Sequence, residues 1–587
     1  MNDTTKKGPY IPIAVWADEQ KYRQEGESFS QKCSRVAEAL SDDQKHYEDF
    51  KEILKGQRFL PGGRVQSAAG SYRQTTAFNC FVMQKVPDSL EGIMEVASEA
   101  AKTMQLGGGV GYDFSGIRPK GSRIKSLGSQ ASGPVSFMGI MDSVCKTIAS
   151  AGHRRGAQMG CLRVDHPDIM EFINAKTNSD TLTQFNISVL VTDKFMEAVL
   201  FDKEFDLVFE ERVYDTIRAR SLWDSILRAT WDWAEPGVIF VDQVNKMNNL
   251  WYCEDISATN PCGEQPLPPY GACLLGSINL TQYVVSRLEG DYTNKYFDYD
   301  QLEKDMPHIV RAMDNVVDET TYPLPEQERE AKNKRRMGLG VTGLANVLGF
   351  LGIVYGSSQA EVFTKNLLRK IANWSYMASS LLAKEKGSFP LFDKDKYLQG
   401  EFIKKLDYDV QSSIRENGIR NSHLTSIAPT GTISLTANNI SSGLEPVFSY
   451  EYDRTVQTSD GPIVEKVQDY AYREWGIKCE TADTIPVEAH VGMLCAAQEW
   501  VDSACSKTCN VGADVTWEEF KNVYLQAYRG GAKGCTTFRA NGKRFGILNA
   551  SASEEVVEAP EKEDETTIEG GACYIDPETG IRSCDSI

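Results

Sequence analysis

The chain lacks the cysteine and glycine spacings that mark the commonest metal and nucleotide sites. Its 14 cysteines include no C-x-x-C pair. The nearest spacing, Cys505 and Cys509, has no histidine beside it, which argues against structural zinc. The glycine run at 107–111 does not match G-x-G-x-x-G, and no G-x-x-x-x-G-K-S/T occurs. A Rossmann dinucleotide site and a nucleotide-hydrolysing P-loop are therefore excluded.

Positive charge and long apolar runs are also scarce. With 63 Lys and Arg against 82 Asp and Glu, the net charge is −19, which argues against a nucleic-acid-binding surface. The most apolar stretch, 339–356, holds five glycines and fits buried core better than a membrane span. The first residues lack the apolar core of a signal peptide. We therefore expect a cytoplasmic protein with reduced thiols and no membrane contact.

Three regions of the 587-residue chain differ in composition and in the pattern of their apolar residues. Residues 1–55 have charged residues interleaved among apolar ones, which predicts a short helical segment. From 56 to 548, short apolar runs broken by glycine alternate with helical stretches, which predicts one large α/β fold. Residues 549–587 are acidic and poor in apolar side chains, which predicts a flexible, disordered linker and tail.

The most informative motif is Asn260-Pro-Cys262-Gly-Glu264. In an extended segment, residues i, i+2 and i+4 point to one side, so an amide, a thiol and a carboxylate can converge on one small ligand. Neither a histidine nor a second cysteine lies close to Cys262, so an activated thiolate and a zinc site are both disfavoured. A neutral, buried thiol beside a carboxylate and an amide suits a cysteine that acts as a radical.

Other segments carry candidate ligand or redox groups. Residues 428–434 supply hydroxyls and amides at a helix start, which fits either a phosphate cradle or ordinary helix capping. Cys80 and Cys273 each lie in an apolar run, where a plain core cysteine is the commoner role. Cys573 and Cys584, in the acidic tail, are either inert thiols or a mobile dithiol that exchanges with another disulfide. A linker of about 25 residues reaches roughly 25–30 Å.

Taken together, these segments resemble the large chains of ribonucleotide reductases. The matching motifs occur in the family's order over roughly residues 55–548, and the set is far more specific than any single motif. The resemblance implies a ten-stranded α/β barrel of two antiparallel half-barrels, with a finger loop through its centre. The motifs are Phe59-Leu-Pro-Gly-Gly-Arg64, Phe78-Asn-Cys80, Arg154-Arg-Gly-Ala157, Asn260-Pro-Cys-Gly-Glu-Gln-Pro-Leu267, Cys273-Leu-Leu-Gly-Ser-Ile-Asn-Leu280, Arg335-Arg-Met-Gly-Leu-Gly340, Arg420-Asn-Ser422, Ala428-Pro-Thr-Gly-Thr432 and Gly443-Leu-Glu-Pro446.

The resemblance assigns a catalytic role to each core residue. Cys262 would be the thiyl radical that takes the 3′-hydrogen of the ribose, and Glu264 the general base for the 3′-hydroxyl. Asn260 would hold the substrate by a hydrogen bond. Cys80 and Cys273 would supply the two electrons that accompany loss of the 2′-hydroxyl, and would end as a disulfide.

The resemblance also implies a tail shuttle and a substrate site. Cys573 and Cys584 would re-reduce the inner disulfide and then react with a thioredoxin- or glutaredoxin-type protein, although ten residues separate this pair, more than is usual in the family. The substrate would be a ribonucleoside di- or triphosphate. Its expected contacts are Ser67, Asn79, Pro429, Thr430, Gly431, Thr432, Ile433 and Ser434.

A second nucleotide site is implied for regulation. Family members bind a deoxynucleoside triphosphate or ATP as specificity effector at a dimer interface, so a homodimer is expected. The segment before the barrel is short and does not resemble an ATP-cone activity domain. The loop at 176–185 is either the link from effector to substrate or an ordinary solvated loop. The expected effector residues are Asp88, Ser89, Lys176, Thr181, Thr183 and Gln184.

The radical source follows from two residues near the end of the barrel. Thr537 and Phe538 stand where aerobic class I chains carry two adjacent tyrosines that relay a radical from a partner subunit. Neither side chain is oxidisable enough, so the resemblance is to class II, which uses adenosylcobalamin. No D-x-H-x-x-G motif occurs, so the cobalamin would keep its own base. His423 and His490 are then expected to be structural, and no metal is expected on protein side chains.

Three alternatives stay open from the sequence. The chain could be a class I-type large chain with a separate radical-generating subunit, or a nucleotide-binding paralogue without turnover. A disulfide oxidoreductase that uses the tail alone would leave the whole barrel unexplained. The joint presence of Asn260, Cys262, Glu264, Cys80 and Cys273 favours a catalyst.

Overall fold

The computed structural model describes residues 7–124, 128–150, 154–155, 157–177, 181–289, 292–458, 461–539, 573–575 and 582–584. The acidic linker predicted at 549–572 lies outside this described part. The side chains of the two tail segments and of Arg154 and Arg155 are also outside it.

The chain begins with three helices, as the sequence of 1–55 predicts. In α2 a capping box joins Ser28 and Gln31, and in α3 the Asp43 side chain accepts the His46 amide. In each of these helices the buried apolar side chains recur at helical spacing, so one face packs inward. The helices are α1 (Pro12–Tyr22), α2 (Phe29–Ala39) and α3 (Gln44–Lys55).

From residue 59, strands and helices alternate. The first run is β1 (Phe59–Pro61), α4 (Gly63–Ala68), β2 (Cys80–Val82), α5 (Leu90–Gln105), β3 (Gly109–Asp113), β4 (Arg123–Ile124), β5 (Ser129–Gln130), α6 (Pro134–Thr147), β6 (Ala149–Ser150), β7 (Arg154–Arg155), β8 (Gln158–Arg163), α7 (Ile169–Ile173), β9 (Phe185–Val191), α8 (Asp193–Leu200), β10 (Glu204–Phe209), β11 (Arg212–Arg218), α9 (Ala219–Trp233), β12 (Gly237–Phe240) and α10 (Val241–Lys246).

The second run contains the central hairpin, the longest helices and the tail. Two 3₁₀ turns occur at Leu280–Tyr283 and Ile403–Lys405. The elements are β13 (Ala258–Thr259), β14 (Pro266–Leu267), β15 (Ala272–Cys273), β16 (Leu275–Asn279), β17 (Val284–Glu289), β18 (Tyr292–Phe297), α11 (Tyr299–Glu319), α12 (Pro325–Lys334), β19 (Gly338–Thr342), α13 (Leu344–Phe350), α14 (Ser358–Lys386), α15 (Lys394–Tyr397), α16 (Tyr408–Asn417), α17 (Gly431–Thr436), β20 (Glu451–Thr458), β21 (Gly461–Gln468), α18 (Tyr470–Trp475), α19 (Val487–Gln498), β22 (Thr508–Val511), α20 (Trp517–Arg529), β23 (Gly534–Arg539), β24 (Cys573–Ile575) and β25 (Arg582–Cys584).

The main sheet has eight strands in the order β15-β2-β3-β8-β9-β12-β23-β22. Strands β2, β3, β8, β9 and β12 are parallel, β23 is antiparallel to β12, and β22 runs parallel to β23. Strands β3, β12 and most of β8 are buried throughout, as expected for a parallel sheet with both faces covered. The α/β class is thus confirmed.

A second sheet has the order β1-β16-β19, with β16 and β19 parallel. Single parallel bridges join Leu339 to Thr425 and Ile427 to Cys505. The hydrogen bonds between the described strands therefore define separate sheets and do not close into one ten-stranded sheet. No helix in the described ranges combines the length and the apolar content needed to cross a bilayer.

Candidate active site

The finger loop is the turn of a short hairpin between β13 and β14. Asn260 N–H donates to the Gln265 carbonyl at 3.1 Å, and Gly263 N–H donates to the Asn260 carbonyl at 3.0 Å. Gly263 has φ of +80°, which a glycine adopts without strain. The prediction of an extended segment at 260–264 is therefore wrong, because this glycine reverses the chain. The turn still brings the motif's polar groups together.

Asn260 and Glu264 contact each other directly. The Asn260 Nδ2 donates to Glu264 Oε1 at 2.8 Å, and Asn260 Oδ1 accepts the Gln265 amide at 3.0 Å. Asn260 and Glu264 are fully buried, and Cys262 is 2% exposed. The amide therefore fixes one carboxylate oxygen of the predicted base within a site shielded from water.

Other elements hold this turn in place through groups that the sequence did not single out. Asn186, on β9, donates from Nδ2 to the Pro261 carbonyl at 3.0 Å. The Glu264 carbonyl accepts the Ser426 hydroxyl and the Ala504 amide, both at 2.9 Å. These donors come from three distant parts of the chain, so no local motif could have identified them. These hydrogen bonds fix the position and orientation of the finger loop.

The predicted reducing pair lies beside the loop. Cys80 and Cys273 are directly opposite each other on the antiparallel strands β2 and β15, and both are buried and in no disulfide. A Cβ added at Gly109 would lie 3.0 Å from Cys80 Sγ and 3.3 Å from Pro261 Cγ, so the loop abuts Cys80. Burial, then Cys80, then Glu264 raise the pKa of Cys273 well above its usual range. The Cys273 thiol therefore stays protonated near neutral pH.

The tail brings its own cysteine positions together near this site. Cys573 and Cys584 are opposite residues of the β24–β25 hairpin, and β25 lies against α17. Cys262 is disulfide-bonded in the structure, and none of the eleven other cysteines with described side chains is its partner. The thiol of Cys262 has to be released from this bond before any hydrogen-atom chemistry.

The predicted phosphate loop leads into α17. Thr430 has φ of +55°, a conformation that non-glycine residues adopt rarely and that clusters at functional sites. Its hydroxyl bonds to the Thr342 hydroxyl at 3.0 Å and accepts the Gly443 amide at 2.8 Å. The Thr430 hydroxyl therefore holds the loop's shape. The first amides of α17, from Gly431 onward, have no acceptor within the helix and are oriented for an anion.

The rest of the predicted substrate contacts lie on the strands and helix beside the cysteines. Asn79 is buried next to Cys80, and its amide donates to the Cys273 carbonyl at 3.0 Å. Ser67, on α4, is half-buried and donates to the Arg64 carbonyl at 3.1 Å. The Ser434 hydroxyl bonds to the Ser442 hydroxyl at 2.9 Å. Pro429, Thr432 and Ile433 are buried in the same loop.

The predicted effector residues form two groups, each completed by a residue that the sequence analysis missed. Asp88 accepts the Arg118 amide at 3.0 Å and its Nε at 2.7 Å. Lys176 pairs with Glu235 at 2.6 Å. Ser89 caps α5, Thr181 is exposed, Gln184 N–H donates to Asp142 Oδ1, and Gln184 Nε2 donates to Thr183 Oγ1. Residues 178–180 of this loop lie outside the described part.

The strand that would carry a radical relay contains no tyrosine, but one lies next to it. Thr537 is buried, and its hydroxyl is 2.9 Å from the Tyr524 hydroxyl of α20. Burial raises the pKa of Tyr524 well above its usual range, and its neighbour is a hydroxyl, not a base. Oxidation of this phenol has no proton acceptor, so Tyr524 is a poor relay.

His423 and His490 are both held within the protein. The Nε2 of His423 is 3.0 Å from Asn248 Oδ1, and Nδ1 of His490 is 3.0 Å from Lys507 Nζ. Burial, then nearby cations, lower the pKa of both imidazoles well below the usual range. Each side chain has a partner within the protein through one ring nitrogen.

Known proteins resemble the chain over most of its length. The sequence profile of the ribonucleotide reductase barrel domain matches residues 78–538. A vitamin B12-dependent ribonucleoside-diphosphate reductase of Thermoplasma acidophilum is 35% identical over 574 residues, covering 91% of this chain and 71% of the relative. Its counterpart in Mycobacterium tuberculosis is 34% identical, covering 90% and 76%. A ribonucleoside-diphosphate reductase subunit alpha of Chlamydia pneumoniae is 24% identical, covering 82% and 54%. The chain belongs to the ribonucleotide reductase family.

Proposed function

We propose that this chain is a ribonucleotide reductase that makes 2′-deoxyribonucleotides by thiyl-radical chemistry at Cys262, started by adenosylcobalamin. One observation carries the proposal. The Asn260–Glu264 hydrogen bond and the facing pair Cys80 and Cys273 lie around one finger loop, next to the loop that leads into α17. A nucleotide-binding paralogue would need none of the thiols.

The strand pairings favour a closed barrel of ten strands. β15 and β16 are separated only by Leu274, so one strand pairs with β2 on one side and β19 on the other. The bridge from Leu339 to Thr425 places residues 425–427 beside β19. The bridge from Ile427 to Cys505 places the same segment beside the residues just before β22. The inferred order is β2, β3, β8, β9, β12, β23, β22, 425–427, β19 and β15–β16. Each half is then parallel within itself and antiparallel to the other, as the family resemblance implies.

The residues around the finger loop fit a cobalamin. The Gln265 side chain is fully buried, and neither its Nε2 nor its Oε1 has a hydrogen-bond partner among the described residues. A corrinoid carries peripheral amides that would satisfy both atoms. His423 and His490 are already bonded inside the protein, which fits a cobalamin that keeps its own base. Gln265 and the loop backbone would hold the cofactor beside Cys262. When bound, adenosylcobalamin supplies the radical that takes the hydrogen atom from the Cys262 thiol.

Different residues of the chain then carry out the successive steps of the reaction. Cys262 removes the ribose 3′-hydrogen, and Glu264, held by Asn260, accepts the proton of the 3′-hydroxyl. The 2′-hydroxyl leaves as water with one proton, and C2′ gains a hydrogen in its place. Cys80 and Cys273 supply the two protons and two electrons for these changes and end as a disulfide. Glu264 returns its proton to the 3′-oxygen. The hydrogen held by Cys262 returns to C3′, so the net reaction consumes two thiols and releases one water.

The tail hairpin supports the proposed shuttle. Its cysteine positions face each other, and β25 already lies against the phosphate-binding helix. A dithiol there can reduce the Cys80–Cys273 disulfide and pass the oxidation to a thioredoxin- or glutaredoxin-type protein. Eleven of the cysteines with described side chains are in no disulfide, which fits a reducing cytoplasm. Cys584→Ser should stop repeated turnover with a protein dithiol and leave activity with dithiothreitol, whereas Cys253→Ser, an exposed control, should change neither.

The substrate is proposed to be a ribonucleoside diphosphate, because the Thermoplasma acidophilum and Mycobacterium tuberculosis relatives carry that substrate in their names. Deoxynucleotide or ATP control through the Asp88 and Lys176 regions, and a homodimer, are proposed from the family resemblance. The deciding experiment is reduction of cytidine diphosphate and triphosphate by the purified chain alone, with dithiothreitol, with and without adenosylcobalamin. Activity only with cobalamin supports the proposal. Activity that needs a second protein would support the class I-type alternative.

A further inference from the structure

Helix α17, which follows the proposed phosphate loop, is attached at its C-terminal end to the segment around α1. Beyond α17 the backbone passes through two consecutive asparagines, Asn438 and Asn439, with φ of +67° and +61°. Two adjacent left-handed non-glycine residues are unusual and are held only where the surroundings fix them. Both side chains are buried, so their contacts explain the conformation.

Asn438 joins α17 to the segment that precedes α1. Its Oδ1 accepts the Tyr10 amide at 2.7 Å and the Ile11 amide at 3.3 Å. Its Nδ2 donates to the Gly8 carbonyl at 3.2 Å. All of these partners lie more than 400 residues away in sequence. The side chain of Asn438 therefore links residues 8–11 to the end of α17.

Further contacts make this attachment continuous. Gln57, after α3, donates from Nε2 to the Thr436 carbonyl at 3.0 Å, which satisfies one of the last carbonyls of α17. Leu435 packs in a small apolar cluster with Ile13 and Ala17 of α1. Helix α1 also contacts α4, which carries Ser67. The N-terminal segment thus touches both elements proposed to contact the substrate.

Asn439 makes a different set of contacts. Its Nδ2 donates to the Gln468 carbonyl at 3.0 Å, and its Oδ1 accepts the Tyr452 hydroxyl at 2.9 Å. These partners belong to the β20–β21 hairpin, not to the N-terminal segment. The two asparagines share conformation and burial but differ in what they hold, so one is a matched control for the other.

We propose that residues 8–11 and Asn438 position α17, so that Asn438 is a positioning residue for the substrate phosphates. The proposal rests on the proposed function for the role of α17. With the contacts between Asn438 and residues 8–11 intact, the first amides of α17 keep one direction toward the phosphates. Without them, the C-terminal end of the helix loses its hydrogen bonds to Tyr10, Ile11 and Gly8 and can shift while the finger loop stays in place. Substrate binding should weaken while the chemical step is kept.

The test compares Asn438→Gly with Asn439→Gly. Glycine adopts positive φ freely, so both variants keep the backbone and lose only the side-chain contacts. Asn438→Gly should raise the KM for cytidine diphosphate about tenfold, equivalent to about 1.4 kcal/mol, with kcat within about twofold. Asn439→Gly should leave KM within about twofold. Asn438→Asp, which keeps the acceptor for the Tyr10 and Ile11 amides, should recover part of the loss.

Hydrogen exchange of the α17 amides gives a readout that does not depend on activity. Exchange should be faster in Asn438→Gly than in Asn439→Gly. An unchanged KM in Asn438→Gly, an equal rise in Asn439→Gly, or equal exchange in the two variants would overturn the positioning role. Absence of cobalamin-dependent reduction in the unaltered chain would instead remove the proposed function, and the exchange comparison would still decide whether Asn438 holds α17.

Discussion

The finger-loop site and the effector region hold their polar groups in different ways. Asn260 and Glu264 are fully buried and bond to each other. Asp88 and Arg118 form an ion pair whose side chains are 26% and 35% exposed. Water screens the second pair and leaves the first in a low dielectric. A change in the finger loop should therefore act on the reaction itself, and a change in the effector region should act mildly and on affinity.

The largest effect should follow from Cys262→Ser. A serine O–H bond is too strong to be broken by hydrogen transfer to the cofactor radical, so no 3′-hydrogen can be removed. Reduction should fall by at least about a thousandfold, or about 4 kcal/mol of barrier, while effector binding is unchanged. Deoxycytidine diphosphate formation and equilibrium effector binding measure the two quantities.

Cys161→Ala is the matched control for this substitution. Cys161, on β8, is also buried, is in no disulfide, and has no proposed role. Its loss should leave a cavity and lower the melting temperature, with turnover of the folded protein within about threefold. Equal losses of activity in the two variants would contradict a specific role for Cys262.

Glu264→Gln should have the next largest effect. Glutamine has nearly the same shape and can still accept the Asn260 hydrogen bond, but it cannot take the proton of the 3′-hydroxyl. General-base catalysis contributes typically about 10²–10⁴-fold, so kcat should fall by that range with KM for the diphosphate little changed. Steady-state kinetics separate the two. A large rise in KM with unchanged kcat would make Glu264 a binding residue instead.

The comparison also explains which parts of the site are readable from sequence. Asn260 and Glu264 are four residues apart, so local spacing was enough to place them together, and Pro-Cys-Gly signalled a turn that the extended-strand interpretation overlooked. Asn186 and Ser426 hold the same loop from 75 and 162 residues away. Their side chains have no local signature, because only the folded sheet brings them to the loop.

The fold shows the same division. Alternating apolar runs and helical stretches predicted the α/β class, and interleaved charged and apolar residues predicted a helical segment at 1–55, where the structure has three helices. The attachment of the first helix to α17 depends on Asn438, a residue with no motif around it. Ion pairs such as Lys176–Glu235 likewise join residues that are far apart in sequence, so sequence spacing could not predict them.

A mild effect is expected for Arg118→Gln. This change removes the charge that Asp88 holds, in a region that would meet an anionic effector. Exposed charge contacts contribute about 1 kcal/mol or less, so the effector Kd should rise by up to about tenfold with turnover unchanged at saturating effector. Lys120→Gln, in the same loop and paired with Glu171, is the control and should leave the Kd within about twofold. Equal effects would mean that the loop's charge, not Arg118, attracts the effector.

The smallest effect should follow from Tyr524→Phe, and it sharpens the question of the radical source. The Tyr524 hydroxyl is bonded to Thr537, which has no group that could take a phenolic proton. If the radical is made at the finger loop, turnover should stay within about twofold, with a stability loss of about 1 kcal/mol from the missing hydrogen bond.

Tyr376→Phe provides the comparison for this last substitution. Tyr376 is another fully buried tyrosine, and its hydroxyl donates to Asp502 at 2.6 Å, away from the relay strand. Both variants should lose stability and keep turnover, as measured by thermal unfolding and by reduction with adenosylcobalamin. A loss of more than about a hundredfold in Tyr524→Phe alone would place a phenol on the radical path. A through-protein relay from a separate subunit would then explain Tyr524 better than a cofactor beside Cys262.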